Sequence, residues 1–142
     1  MKIKKNLFLK LFTVLCLFIL ISCGSSLERP KSNTDYKNII GNSIKIGNIE
    51  VAQYDFPEKM KWDEAKAAVT KLGDGWGLPT KDELNVLYQN KDKIGGFASD
   101  VYWSSTEVDN YDLAWYQYFF NGEQYDFGDK DYPHYVRAIR VF

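Results

Sequence analysis

The density of aromatic side chains in the C-terminal part of the chain restricts its fold more than any other feature. From residue 97 to residue 142, 14 of 46 residues are Phe, Tyr or Trp. Aromatic and β-branched residues favour strands, and apolar residues at helical spacing are absent from this region. The pattern predicts four strands, at residues 101–106, 113–120, 123–127 and 135–142, with Asn121-Gly122 as a type I′ turn between the second and the third.

A β-hairpin and a first helix are predicted before the aromatic strands. Isoleucine and valine alternate with other residues on both sides of Gly47-Asn48, which is the pattern of a hairpin. Apolar residues then recur at helical spacing from Trp62 to Leu72, and Gly73 follows as a stop signal. These residues predict an amphipathic helix. Its beginning is weakened because Lys61 stands where a capping Ser, Thr or Asn is usual.

A second helix is predicted to begin after Thr80. Thr80 and Glu83 have the spacing of a capping box, in which each side chain accepts a hydrogen bond from the backbone N–H of the other residue. Leu84, Leu87 and Tyr88 supply the apolar stripe of this helix. Two helices, preceded by a hairpin and followed by aromatic strands, predict an α+β domain of about 100 residues.

The N-terminal residues have the pattern of a lipoprotein signal peptide. MKIKK is basic, LFTVLCLFILI is apolar, and Ser22 precedes Cys23, as in lipoprotein cleavage sites. The apolar stretch of about 11 residues is short against the roughly 20 that a spanning helix needs, so an uncleaved membrane anchor is the weaker alternative. We predict removal of residues 1–22 and lipidation of Cys23 with diacylglycerol and palmitate.

Domain organisation and location follow from this signal. We predict a flexible tether at residues 23–42 and a folded domain at residues 43–142, held in the cell envelope by insertion of the lipid on Cys23 into a membrane. Gly24 follows Cys23, where an Asp would be associated with inner-membrane retention, so the outer membrane or cell surface is favoured. Cys16 leaves with the signal and Cys23 is acylated, so the folded part has no thiol for a disulfide.

The charge of the mature chain argues against nucleic acid as a partner. Removal of residues 1–22 takes four of the 18 basic residues, which leaves 14 against 19 acidic ones and a net charge of −5. No cluster of Lys and Arg remains to neutralise phosphates. We expect no cofactor, because no cofactor-binding motif occurs in the chain.

Five motifs follow one another along residues 44–142. They are Trp76-Gly77-Leu78-Pro79-Thr80 with Glu83-Leu84, then Tyr102-Trp103-Ser104-Ser105-Thr106-Glu107, Ala114-Trp115, Phe119, and Val136-Arg137-Ala138-Ile139-Arg140. Their order and spacing resemble the Lcl C-terminal domain family, named after a collagen-like bacterial adhesin, although Gly77 stands where relatives usually carry Arg. That family is similar to the Fibrobacter major paralogous domains and, more distantly, to formylglycine-generating sulfatase-modifying enzymes. The resemblance implies a C-type-lectin-like fold with two helices, a curled antiparallel sheet and long loops on one side.

The sequence predicts no catalytic residues. Ser104 or Ser105 would need a base within reach, but His134 is the only histidine and no nucleophile-elbow motif surrounds either serine. The formylglycine-generating enzymes work through cysteines near the end of their domain, where this chain has Ala138. We therefore expect that the chain is not an enzyme, since a shared fold is no argument for shared catalysis.

Acidic residues in the predicted loops raise the question of a calcium site. Hard cations take several oxygen ligands, but no D-x-D-x-D-G loop occurs, and neither does the Glu-Pro-Asn or Gln-Pro-Asp tripeptide of sugar-binding C-type lectins. No metal site is predicted, and the weak candidates for calcium are Asp126, Asp129 and Asp131. A single histidine, His134, cannot build a zinc site and is more typical of a surface loop.

Large aromatic side chains are expected to form much of the core, because a small domain must bury enough apolar area. The predicted core aromatics are Trp62, Trp76, Trp103, Trp115, Phe119 and Phe127. Tyr111, Tyr125 and Tyr132 are flanked by Asp, Asn and Gln and are expected to be exposed surfaces for stacking against a ligand. Either Arg137 or Arg140 is expected to pair with a carboxylate inside the fold.

These features predict a lipid-anchored, non-catalytic binding or adhesion module. Its ligand would be a glycan or a protein, recognised by loops 107–112 and 128–134 at one end of the sheet. The candidate ligand-binding residues are Glu107, Asn110, Tyr111, Asp129, Tyr132 and His134. The alternative is a structural or assembly subunit of an envelope protein complex that binds no sugar.

Overall fold

The computed structural model describes residues 36–142, which form four helices and six strands. The helices are α1 (Lys37–Ile40), α2 (Trp62–Thr70), α3 (Lys81–Gln89) and α4 (Lys91–Ile94). The strands are β1 (Ile44–Ile46), β2 (Ile49–Val51), β3 (Val101–Glu107), β4 (Leu113–Tyr118), β5 (Gln124–Asp129) and β6 (Ile139–Val141). None of these helices is long and apolar enough to cross a membrane. The predicted signal peptide and Cys23 lie outside the described residues.

The strands form two antiparallel sheets of three strands each, in the orders β1-β2-β6 and β3-β4-β5. The predicted strand at residues 135–142 is divided between them. Tyr135 pairs with Tyr102 of β3, and Ile139 pairs with Val51 of β2. Only residues 139–141 form a strand, because the chain between these two pairs passes from one sheet to the other.

β3 lies between two hydrophobic clusters. Tyr102 and Trp103 are neighbours in the strand, so their side chains point to opposite faces, and both have 0% exposure. Trp103 belongs to the cluster that contains Trp62 of α2, whereas Tyr102 belongs to the cluster that contains Leu84 and Leu87 of α3. A single strand therefore contributes a large aromatic side chain to each half of the core.

The two longer helices begin as their sequences predict. Thr80 N–H donates to Glu83 Oε2 at 2.7 Å, and Glu83 N–H donates to Thr80 Oγ1 at 3.3 Å, which completes the capping box of α3. At the start of α2, Lys61 N–H donates to Glu64 Oε2 at 3.3 Å. The Lys61 ammonium has no lone pair to accept a bond in return, so α2 has only half of a capping box.

The predicted pairing of an arginine inside the fold is confirmed. Arg137 is buried, and its Nε donates to Asp55 Oδ1 at 2.6 Å. Its other nitrogens donate to the carbonyls of Ala52 (3.2 Å), Gly95 (3.3 Å) and Gly96 (2.8 Å). Burial raises the pKa of the Asp55 carboxyl, while the contacts with Arg137 act in the opposite direction. The second arginine, Arg140, pairs with Glu50 at 2.6 Å.

The folded region begins before residue 43, the predicted end of the tether. Residues 37–40 form α1, and Ile39 is buried in the same cluster as Phe56. The ring of Tyr36 lies 5.3 Å from that of Phe56. The polar sequence around these residues led to the prediction of a tether. The apolar side chains at positions 36, 39 and 40 nevertheless pack against the core, so the domain begins earlier.

The turn between β4 and β5 is longer than predicted. A type I′ turn at Asn121-Gly122 needs positive φ at both residues, but only Gly122 has it, at 87°. Tyr118 accepts a hydrogen bond from Gly122 N–H at 2.8 Å and donates to the Glu123 carbonyl at 2.9 Å, which encloses a four-residue loop. The strand ends early because the Phe119 side chain turns into the core.

Two of the predicted core aromatics are not fully buried. Phe127 is 58% exposed, because β5 contains a bulge: Tyr125 pairs with Tyr116, but Gly128 rather than Phe127 pairs with Ala114. A Cβ on Gly128 would lie 2.7 Å from the Trp103 ring, so only glycine fits this inward position. Trp115 is half-buried, with Lys81 Nζ 4.2 Å from its ring centroid.

Replacement of Asp55 by Ala is expected to lower the free energy of unfolding by about 3 to 5 kcal/mol, because it leaves the buried Arg137 charge without its partner. Urea denaturation monitored by tryptophan fluorescence measures the loss. Asp131→Ala is the matched control, because Asp131 and its partner Lys61 are both exposed and such pairs contribute little. Equal losses in the two variants would contradict a stabilising role for the Arg137 network.

Candidate functional site

Three strand termini lie together at one end of the sheet β3-β4-β5. β3 ends at Glu107, and β4 begins at Leu113, which pairs with Asp129 at the end of β5. The segments that follow β3 and β5 therefore leave the sheet side by side. They contain the residues predicted to bind a ligand, and we call residues 107–112 and 129–134 the loop end.

Lys130 connects the two segments of the loop end. Its Nζ donates to Glu107 Oε2 at 2.9 Å and lies 3.0 Å from Asp112 Oδ1. Lys66 of α2 lies 3.8 Å from the other oxygen of Glu107. The hydrogen bond from Lys130 lowers the pKa of Glu107 and, together with that to Asp112, raises the pKa of Lys130. The charge of Glu107, a predicted ligand-binding residue, is thus balanced within the domain.

The Trp62 ring packs against Lys66 and Lys130, the two lysines that contact Glu107. Lys66 Nζ and Lys130 Nζ lie 4.1 Å and 4.5 Å from its ring centroid, as in cation–π contacts. The indole N–H donates to the Ser104 carbonyl at 2.8 Å, and the backbone N–H of Trp62 donates to the Lys130 carbonyl at 3.0 Å. The segment after β5 is therefore attached to the first residue of α2 as well as to the sheet.

Tyr111 and Tyr132 are the exposed aromatics of the loop end, with 69% and 67% of their surface accessible. Tyr111 follows Asn110, whose φ of 65° reverses the chain. Tyr132 follows a turn in which Asp131 N–H donates to the Asp129 carboxylate at 2.9 Å. Both rings therefore project from short turns in the two segments that Lys130 connects. Their exposure agrees with the prediction that they are surfaces for stacking against a ligand. Tyr125, the third predicted surface, is half-buried.

The acidic residues considered for calcium have other contacts or stand apart. Asp131 Oδ1 accepts a hydrogen bond from Lys61 Nζ at 2.8 Å, and Asp129 accepts the bond from Asp131 N–H. Asp126 is exposed. Within residues 36–142, no group of three or more His, Cys, Asp or Glu side chains is arranged to hold a metal ion.

His134 is not a surface loop residue, in contrast to the expectation. Its ring is half-buried, with centroid distances of 4.3 Å to Trp103 and 5.3 Å to Tyr116. Its backbone exchanges two hydrogen bonds with Met60, at 2.9 Å and 3.0 Å. Burial lowers the pKa of His134 from 6.5 to about 4, and the nearby Lys59 charge acts in the same direction. Among the six candidate ligand-binding residues, His134 has the most pronounced structural role.

Each residue of the Ser-Ser-Thr run makes a hydrogen bond that stabilises the fold. Ser104 is buried, and its Oγ donates to the Trp115 carbonyl at 2.9 Å. The backbone N–H of Ser105 donates to the Pro79 carbonyl at 2.7 Å. Thr106 Oγ1 accepts a bond from Lys81 N–H at 2.9 Å, at the start of α3. This run joins β3 to the beginning of the second long helix.

A second exposed aromatic region is present on the β4-β5 hairpin, and the sequence indicated only Tyr125 among its rings. Four rings form a continuous series with centroid separations of 4.9 Å, 5.6 Å and 5.1 Å. We call these rings the hairpin surface; in order, they are Phe120, Tyr118, Tyr125 and Phe127. Phe120 and Phe127 are 55% and 58% exposed. The exposure of Phe127 was not predictable from the alternation of strand residues, because the bulge at Phe127 interrupts that alternation.

A shallow cavity of about 370 Å³ lies apart from both regions, beside α4. It is lined by Lys91, Asp92, Gly95, Gly96, Phe97, Ala98, Ser99 and Phe119. The Lys91 ammonium donates to the Phe119 carbonyl at 2.9 Å, so this cation is already bound within the fold. The other charged residue that lines the cavity is Asp92.

The stability of the protein is expected to fall between pH 6.5 and pH 4 because of His134. The folded chain holds this imidazole at a pKa of about 4 against the usual 6.5, so the unfolded chain binds more protons in that window. The stabilisation is complete above pH 6.5, and up to about 3 kcal/mol is lost as the pH approaches 4.

Urea denaturation at pH 7.5, 5.5 and 4.5 tests this expectation. The variant His134→Phe keeps an aromatic ring at the position and removes the titrating group, so the part of the pH dependence that comes from His134 should disappear. Identical pH dependence in the variant and the original chain would show that His134 titrates normally. Carboxyl groups titrate in both proteins, so only the difference between them is interpreted.

Comparison with solved structures identifies the fold. Botrocetin superposes with a TM-score of 0.52 at 14% identity, covering 72% of this chain and 98% of its own. EMS16, an antagonist of the collagen receptor integrin α2β1, superposes with a TM-score of 0.54 at 9% identity, covering 70% of this chain and 97% of its own. Both are snake venom proteins of C-type-lectin-like fold. The predicted α+β, C-type-lectin-like fold is confirmed.

No curated protein matches the sequence of this chain. The sequence model of the Lcl C-terminal domain matches residues 33–140, which is most of the chain and nearly all of the described region. The match includes the motifs from Trp76 to Arg140 that carry the resemblance. The chain belongs to the Lcl C-terminal domain family.

Proposed function

We propose that this protein is a non-catalytic binding or adhesion module of the cell envelope, which recognises a glycan or protein ligand through the loop end. The observation that carries the proposal is the exposure of Tyr111 and Tyr132 on two segments that Lys130 connects. Aromatic rings are large contact surfaces that lose little conformational entropy on binding. Because their supports are linked, the two rings can contact one ligand together.

Ion pairs within the domain offset part of the negative charge of the loop end. Glu107 and Asp112 are paired with Lys130, and Asp131 is paired with Lys61. What these pairs leave accessible is aromatic rings, amide and hydroxyl groups, and the carboxylates of Asp109 and Asp129, which together suit saccharide rings or the mixed surface of a protein. The non-catalytic assignment has support from Ser104, whose hydroxyl is buried and hydrogen-bonded to a carbonyl.

The solved relatives support binding as the role of such a fold. EMS16 is described as an antagonist of a collagen receptor integrin, and botrocetin is found in complex with the A1 domain of von Willebrand factor. At 14% identity or less, the similarity does not extend to the ligand. Protein surfaces therefore stand beside glycans as ligands to be tested for this chain.

Replacing both Tyr111 and Tyr132 by Ala is expected to weaken ligand binding by about tenfold or more, because exposed aromatic anchors commonly contribute over 1 kcal/mol each. A soluble form of residues 24–142 is first screened on a glycan array, with and without calcium, and against envelope protein extracts. Affinity for the ligand found is then measured for both proteins. Tyr54→Ala is the control, because Tyr54 is an exposed tyrosine outside the loop end.

Two results would change the proposal. Unchanged affinity in the double variant for every ligand identified would show that the binding site is not the loop end. A blank array in both conditions, together with one stoichiometric protein partner in the extract, would assign a structural or assembly subunit instead. Retention of the fold is checked by thermal denaturation, since both tyrosines are exposed and should contribute little to stability.

The anchoring part of the proposal rests on the sequence around Cys23. When the full chain is expressed in a bacterium supplied with labelled palmitate, we expect label in the protein and recovery in the membrane fraction. Cys23→Ala should lose the label and accumulate with an uncleaved signal. Cys16→Ala is the matched control, because this cysteine lies in the predicted signal and should leave labelling unchanged. Labelling that persists in Cys23→Ala would contradict lipidation at that residue.

A further inference from the structure

The hairpin surface lies in a part of the chain that has acidic residues but no basic ones. Between Lys93 and Lys130 the sequence contains no Lys or Arg, whereas it contains seven Asp or Glu residues. Asp100, Glu107 and Asp112 are paired with lysines from other segments. Among the described residues, no ion pair neutralises Glu123 or Asp126, which flank the exposed rings of the hairpin.

The rings of the hairpin surface also differ from other aromatics in their contacts with cations. Across residues 36–142, seven rings have a Lys or Arg cation over them, at 4.0 to 5.2 Å from the ring centroid; they are Trp62, Trp76, Tyr88, Phe97, Trp115, Tyr135 and Phe142. None of the four rings of the hairpin surface has such a contact within the described chain. Glu123 accepts hydrogen bonds from Asn121 and from the Tyr125 hydroxyl, but neither group carries a positive charge. Exposed rings beside carboxylates without a cationic partner provide favourable positions for a cation from another molecule.

The backbone of β5 offers a second means of recognition. β5 is an outer strand, and no strand among residues 36–142 pairs with its far side. The opposite edge of this sheet is covered, because Trp103 N–H donates to the Tyr135 carbonyl and Ser105 N–H donates to the Pro79 carbonyl. Unpaired backbone groups at a sheet edge can pair with an added strand.

The acidic side chains of β5 and of Glu123 determine which kind of strand can pair with β5. In an antiparallel pair of two copies centred on Asp126, the two Asp126 side chains would face each other, and each Glu123 would face an Asp129. Like charges opposite one another destabilise strand pairs, so a second copy of this chain is disfavoured. Sulfated or other anionic polymers are disfavoured for the same reason. A segment with Lys or Arg side chains matches both the carboxylates and the rings.

We propose that the hairpin surface and the free edge of β5 bind an extended, basic segment of a protein partner. The segment pairs with β5 through its backbone and carries Lys or Arg at alternate positions, which face the same side of a strand. These cations stack on Phe127 and Phe120 and pair with Asp126 and Glu123. The site shares with the loop end only Asp129, the last residue of β5, so it adds a partner class to the proposed function without depending on it.

The test uses the full chain, purified in mild detergent, and fluorescent ten-residue peptides of alternating Lys and Thr. Fluorescence anisotropy at low ionic strength should show binding that weakens at least about tenfold in a Phe127→Ala, Asp126→Asn double variant. Binding should also weaken when sodium chloride is raised to about 0.5 M, because exposed ion pairs are screened. Asp82→Asn is the control for charge, because Asp82 is an exposed acid on α3.

Three further probes separate this proposal from its alternatives. A peptide with Glu in place of Lys should not bind, and a peptide with Pro at alternate positions should bind more weakly, because it cannot pair with a strand edge. The Tyr111→Ala, Tyr132→Ala variant should bind the Lys peptide normally, which separates this site from the loop end. No binding of the Lys peptide, or equal binding by the double variant at β5, would overturn the proposal.

Two other occupants give distinct results. Analytical ultracentrifugation that detects a dimer of the original chain, and a monomer of Phe127→Ala, would assign the edge to a second copy and overturn the proposal. Binding of fluorescent dextran sulfate that is lost in Phe127→Ala would assign the surface to an anionic polymer, with the same consequence. Phe127 and Asp126 are both exposed, so these substitutions are expected to leave the folded domain intact.

Discussion

The guanidinium of Arg137 joins segments that are far apart in the sequence, and the rest of the fold is arranged around it. It contacts Asp55, the carbonyl of Ala52 after β2, and the carbonyls of the Gly95-Gly96 pair. Asp55 in turn accepts a hydrogen bond from the Tyr102 hydroxyl at 2.6 Å. Because a buried charge needs several partners, these contacts fix the paths of the loop after β2, the loop after α4 and the segment before β6. The bond from Tyr102 adds the position of β3.

The position of β3 determines where the residues of the loop end lie. Tyr102 and Trp103 anchor this strand in the two halves of the core, which sets the position of its end at Glu107. Lys130 then fixes the segment after β5 to the same residue, with Trp62 beneath it. The loop end therefore combines irregular backbone with a rigid support, which is the arrangement that binding sites on loops generally require.

Local signals in the sequence predicted much of this fold, whereas contacts between distant residues were harder to predict. The hairpin at Gly47-Asn48 and the capping box of Thr80 depend on neighbours within a few residues, and both are present. The exposure of Phe127 depends on the bulge that brings Gly128 against Trp103, 25 positions earlier in the chain. Similarly, the proximity of the loop-end segments was predictable from the strand order, but their connection through Lys130 was not.

The distribution of lysines separates the two exposed aromatic regions chemically. At the loop end, Lys61, Lys66 and Lys130 pair with Glu107, Asp112 and Asp131, so part of the negative charge near Tyr111 and Tyr132 is offset within the domain. The β4-β5 hairpin has no cation of its own, and its rings stand beside uncompensated carboxylates. The two regions therefore differ in the cations that they contain: the loop end has lysines among its own contacts, whereas the hairpin surface combines rings and carboxylates without a cation from the described chain.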